Sequence, residues 1–149
     1  MNSIRDWLYI GKYRDTLDST LLATHKIGAM LQLAEAVKHP DIESLYLPVD
    51  DGIPIADHYL QQGIDFVLAQ KRLGRKVLVA CGAGMSRSAA FALAALKEDE
   101  SLGLLAARHD VKSHHPDTLI HPALWESLCA FYQENIPFQN ALNAMISSE

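Results

Sequence analysis

The stretch VLVACGAGMSRSAAFALAAL, residues 77–96, decides how this chain is read. Residues 76–80 are β-branched and apolar apart from Lys76 and stop at Cys81, which reads as a strand buried on both faces of a sheet. Two glycines, Gly82 and Gly84, then break any regular pattern. From Ser86 onward the pattern becomes helical, and residues 89–96 are apolar on every side, so this helix belongs at the centre of the fold.

The flanks extend the pattern in both directions. Leu60, Ile64, Val67 and Leu68 recur at the spacing of one buried helical face, which predicts a helix over residues 57–72 that Gly74 ends. Upstream, residues 7–10 read as a short strand ended by Gly11. Residues 17–25 read as a helix capped by Asp15 or Thr16, and residues 27–33 as a buried strand. Residues 45–49 contain Pro48 and suit a short or edge strand. Asp50-Asp51-Gly52-Ile53-Pro54 has the composition of a loop. Three helices are expected after the central one, over residues 102–112, 121–133 and 138–146, with breaks at Pro116, Pro122 and Pro137. Strands alternating with helices, then helices alone, predict an α/β fold with no linker, repeat or low-complexity segment.

Bulk properties narrow the partners. A chain of 149 residues fits one domain with one core. A formal charge of −5 provides no field for nucleic acid or an anionic membrane, although a small anion needs only local positive potential. Two cysteines are too few for a disulfide framework, which predicts a reducing, cytoplasmic setting. The opening residues MNSIRDWLYIGKYRD lack the apolar core of a signal peptide, and no apolar run approaches the roughly 20 residues of a membrane span.

Chemistry concentrates at Cys81-Gly82-Ala83-Gly84-Met85-Ser86-Arg87-Ser88. A tight loop between a strand and a helix aims several backbone N–H groups at one point, and the helix adds the positive end of its dipole. Glycines let the backbone approach a ligand closely. A thiol near a helix N-terminus and an arginine ionises more readily, and the thiolate is the nucleophilic form. A guanidinium grips two phosphate oxygens in its planar fork. Spacing alone proves little, because composition would place an arginine six residues after one of the two cysteines in about one chain in twelve. The context adds weight: the cysteine ends a strand, glycines fill the loop, no acidic residue intrudes and a helix begins at the arginine.

This loop and its flanks resemble the signature of the cysteine-dependent phosphatases, and the chain is similar to the small dual-specificity protein phosphatases over roughly residues 4–134. WLYIGKYRDTLD resembles the family's opening strand and turn, and IGAMLQLA the strand that follows. LPVDDGIPIADHYLQQGIDFVLAQKRLGRKVLVAC resembles its general-acid loop, helix and strand, and HHPDTLIHPALWESLCAFY its final proline-led helix. The resemblance implies one small domain over residues 1–149, with a mostly parallel central sheet flanked by helices and residues 137–149 as a C-terminal helical extension. It also implies hydrolysis of phosphate monoesters at a shallow site: phosphotyrosine, and beside it phosphoserine or phosphothreonine, in a phosphorylated protein, or small phosphomonoesters. Cys81 would be the nucleophile and Ser88 would bond its sulfur. Arg87 and the N–H groups of Gly82, Ala83, Gly84, Met85 and Ser86 would bind the phosphate. The general acid belongs on the loop before the long helix, where Asp50 and Asp51 both stand. Counting back 30 positions from Cys81 favours Asp51, and Asp57 suits a helix cap better. No cofactor, metal, nucleic acid or membrane is implied, and a monomer is expected.

Several positions depart from the family or stand apart from it. Ala80 replaces the histidine that supports the loop and keeps the cysteine ionised. Asp117 follows Pro116, where asparagine is common. His114-His115 lacks the companions of a metal site and reads as a surface pair. Met85 reads as shaping the pocket mouth, and Cys129 as core. Two competing readings remain: a binder that holds phosphorylated partners without turnover, which Ala80 favours, and a sulfurtransferase with a similar cysteine loop, which would not need Asp50-Asp51.

Overall fold

The computed structural model describes residues 1–137. A five-stranded sheet carries strands β1 (Asn2–Arg5), β2 (Leu8–Lys12), β3 (Ile27–Gln32), β4 (Glu43–Tyr46) and β5 (Lys76–Cys81). Their spatial order is β1-β2-β5-β3-β4, with β1 antiparallel to β2 and every other pair parallel. Two short helices, α1 (Tyr13–Thr16) and α2 (Ser19–Thr24), lie between β2 and β3. The long helices α3 (Asp57–Arg72), α4 (Arg87–Glu100), α5 (Leu104–His114) and α6 (Pro122–Tyr132) are the remaining elements of the described residues. This is one α/β domain with a mixed, mostly parallel sheet.

Side chains alternate across β5, so Val77, Val79 and Cys81 join the large core beneath α3, α4 and α6. Leu78 and Ala80 face the opposite side and form a smaller cluster with Tyr9, Leu22, Ile27 and Met30. Ser88 to Leu96 of α4 are all buried, as their apolar run predicts for a central helix. Gly63 of α3 lets that helix close on Phe91 of α4.

Helix α3 spans the expected residues, and Gly74 closes its end in the left-handed region at φ 78°. Other boundaries move for local reasons. Gly11 lies inside β2, paired with Ala80, and does not end it. Asp18, not Asp15 or Thr16, caps α2 by accepting from the Leu21 N–H at 3.0 Å, while Asp15 accepts from Lys12 N. β4 covers residues 43–46 and stops before Pro48, which has no N–H to offer a ladder. Asp57 is the first residue of α3 and makes no capping bond, because Ala56 holds the cap position. The expected helix over residues 138–146 lies outside the described residues. Among the described residues, no helix is long and apolar enough to cross a membrane.

Candidate active site

Cys81 ends the central strand, so its side chain stands at the carboxyl edge of the sheet, where α/β folds place ligand sites. It is buried, and its Sγ lies 3.2 Å from Ser88 Oγ in the first turn of α4. A cleft of about 360 Å³ opens above it. Asp51, Cys81, Ala83, Met85, Ser86, Arg87 and residues 119–122 line this cleft. The structure thus brings together the cysteine, the arginine and one of the two candidate aspartates. Asp50 and Asp57 are exposed and do not line the cleft.

The loop's peptide orientations follow from what fastens its carbonyls. Tyr13 N donates to Gly82 O at 3.3 Å, and Leu119 N donates to Met85 O at 3.0 Å. The His115 ring nitrogen Nε2 lies 2.6 Å from Gly84 O. In a trans peptide the C=O of one residue points opposite to the N–H of the next. Tying back these three carbonyls therefore turns the N–H groups of Ala83, Met85 and Ser86 the other way, and all three residues line the cleft. Gly84 sits at φ 70°, and a Cβ there would come within 2.9 Å of Gly11 O, so only glycine fits. A Cβ on Gly82 would press on Arg87 Nη2 at 3.0 Å.

The start of α4 is also open to an anion. Its N-cap, Ser86, makes no capping bond, and no acidic residue occupies the first turn. Ser86 Oγ accepts instead from His121 N at 2.9 Å. Arg87 Nη1 donates to the carbonyl of Val49 at 2.8 Å, which fixes one edge of the guanidinium. Its Nε is buried and finds no acceptor among the described residues, so an oxyanion in the cleft would supply one. A larger cavity, about 530 Å³, lies beside α6, but among the described residues its lining holds Glu126 and Glu134 and no Lys or Arg, so it does not suit a phosphate.

A family model described as the dual specificity phosphatase catalytic domain matches residues 8–134. This chain belongs to the dual-specificity phosphatase family. It is 33% identical over 118 residues to human dual specificity protein phosphatase 16, covering 73% of this chain and 17% of that one. It is 29% identical over 117 residues to dual specificity protein phosphatase 1 of Arabidopsis thaliana, covering 76% and 59%. The chain thus spans less than two thirds of the length of both relatives. Human DUSP28 has a similar structure, with a TM-score of 0.82, 25% identity, and coverage of 89% of this chain and 96% of that chain. A mouse putative dual specificity phosphatase complexed with zinc tungstate also matches, with a TM-score of 0.82 and 26% identity over 89% of this chain and 86% of that one.

Against the dual-specificity phosphatase pattern, the departures have definite places. Ala80 points to the face of the sheet away from Cys81, into the apolar cluster around Met30 and Leu78. Asp117 is exposed and outside the cleft, so it brings no carboxylate to the lining. The expectation of a surface pair fails at His115: His114 is exposed, but His115 is 6% exposed and bonded to the loop. Sequence reasoning also passed over His121. Its Nδ1 accepts from Ala123 N at 3.0 Å and caps α6, and its Nε2 faces Gly52, where a Cβ would lie 3.4 Å away. The residue before the α6 proline was a readable signal for a cap. Met85 is 36% exposed at the cleft mouth, beside Leu119. Cys129 is half-buried against the core, and burial raises its thiol above the ordinary range. Among the described residues, no three His, Cys, Asp or Glu side chains gather as a metal site.

Proposed function

We propose that the domain hydrolyses phosphate monoesters through a phosphocysteine intermediate. The carrying observation is that Cys81, Arg87 and Asp51 line one cleft, with Ser88 Oγ 3.2 Å from the cysteine sulfur. Cys81 thiolate attacks phosphorus, the S–P bond forms and the P–O bond to the leaving group breaks. Asp51 carboxylic acid gives its proton to the departing oxygen. Water then attacks the phosphorus and gives a proton to the Asp51 carboxylate. The S–P bond breaks and releases inorganic phosphate and the thiolate, which the Ser88 hydroxyl stabilises. Arg87 and the inward N–H groups of the 82–87 loop hold the equatorial oxygens throughout.

Family and cleft together support one substrate class. Among the described residues, Arg87 is the only Lys or Arg lining the cleft, which suits one phosphate rather than a polyphosphorylated headgroup. The rim residues Met85 and Leu119 are apolar and suit the ring of a phosphotyrosine. A phosphorylated protein with phosphotyrosine, and phosphoserine or phosphothreonine at lower rate, is the proposed substrate. The mouse putative dual specificity phosphatase is complexed with zinc tungstate, and tungstate is an oxyanion of phosphate shape, which supports an anion as the ligand class.

The test is hydrolysis of an aryl phosphate by wild type, Cys81→Ser, Asp51→Asn and Asp50→Asn. Turnover by wild type, none by Cys81→Ser and a fall of about a hundredfold for Asp51→Asn are expected. No wild-type turnover between pH 5 and 8 would leave the binder reading, which Ala80 favours, in its place. A crippled Asp50→Asn beside a normal Asp51→Asn would move the acid to Asp50.

A further inference from the structure

His115 is buried, and both of its ring nitrogens are engaged. Nε2 lies 2.6 Å from the carbonyl of Gly84, and Nδ1 lies 2.7 Å from Asn2 Nδ2. A carbonyl only accepts, so Nε2 carries the proton, and Nδ1 then accepts from the Asn2 amide. One donor and one acceptor satisfy a neutral imidazole completely. His115 does not line the cleft, so it reaches the reaction only through the loop.

Gly84 is the point at which the loop is most able to go wrong. Glycine leaves the peptide between residues 84 and 85 free to rotate, and φ 70° marks a conformation that only local packing selects. Rotation of that peptide would turn the Gly84 carbonyl into the cleft and the Met85 N–H out of it. A carbonyl dipole would then face the phosphate where a donor is needed. Ala80, where the family pattern has a histidine, has no ring nitrogen with which to support the loop.

We propose that His115 is a positioning residue: it holds the Gly84 carbonyl outward and so aims the Met85 N–H at the substrate phosphate, with Asn2 fixing its tautomer. Strand β1, at the sheet's outer edge, thereby contributes to the site through Asn2. The kinetic consequence rests on the phosphatase reading, but the consequence for anion binding does not.

The test compares His115→Gln with His115→Met, two side chains of similar length of which only the first donates a hydrogen bond. The readouts are kcat and KM for an aryl phosphate, and the concentration of inorganic phosphate that protects Cys81 from iodoacetate. His115→Met is expected to need about tenfold more phosphate for protection and to lose about ten- to a hundredfold in kcat/KM. His115→Gln should recover most of both, and Asn2→Ala should move both in the same direction by a smaller factor. Equal behaviour of the Gln and Met variants, or wild-type protection in His115→Met, would overturn the proposal. If His115→Met does not fold, unchanged protection in Asn2→Ala together with loss in His115→Gln would overturn it. Should wild type show no turnover, the phosphatase reading fails, and the phosphate-protection contrast still decides the role of His115.

Discussion

Arg87 Nη1 donates a 2.8 Å hydrogen bond to the carbonyl of Val49, two residues before Asp51. The side chain proposed to grip phosphate is thereby tied to the segment that carries the proposed acid. Lysine keeps the charge but lacks the planar fork that can bond Val49 and two phosphate oxygens together. Arg87→Lys should lower kcat by about a hundred- to a thousandfold against an aryl phosphate. Activity within tenfold of wild type would contradict this use of the guanidinium.

A second prediction concerns stability. A Cβ on Gly63 of α3 would lie 2.4 Å from Cε1 of Phe91, a completely buried residue of α4. Replacing a helical glycine by alanine ordinarily gains about 1 kcal/mol. Overpacking a filled core costs about 1–3 kcal/mol, so the clash should win. Gly63→Ala is expected to lower the urea midpoint of unfolding. A variant as stable as wild type would show that Phe91 has room to move.

The third prediction is a pH dependence. Arg5 of β1 donates to Asp110 of α5 at 2.6 Å and to Glu100 at the end of α4 at 2.7 Å. The hydrogen bond from Arg5 holds the Asp110 carboxyl below its ordinary range. Lys97 does the same for Glu134. Because the folded values are depressed, this stabilisation is fully present above the unfolded carboxylate values of about 4 and fades as pH falls below them. Denaturant unfolding between pH 7 and pH 3 should show that loss, and Asp110→Asn should make the acid limb shallower. An acid limb unchanged by Asp110→Asn would contradict the assignment.

These residues also show where the sequence was legible. Helix α3 was readable because its four apolar positions repeat with a helical period, and the Cys81 loop because glycines interrupt an apolar strand. Strand β1 was not, since among Asn2–Arg5 only Ile4 is buried and no alternation announces it. His114 and His115 are adjacent and look alike in sequence. What separates them is the Gly84 carbonyl, 31 residues away, which only the folded chain brings near. Asp51 and Asp50 present the same difficulty, because which one lines the cleft depends on the turn at Gly52, whose φ is 74°.

The most direct measurement is rapid acid quench of wild-type protein mixed with excess aryl phosphate, followed by mass spectrometry of its peptides. The phosphocysteine account predicts a transient phosphoryl group on Cys81, absent from Cys81→Ser. Turnover with no phosphoryl group on Cys81, or with the group on another residue, would contradict it.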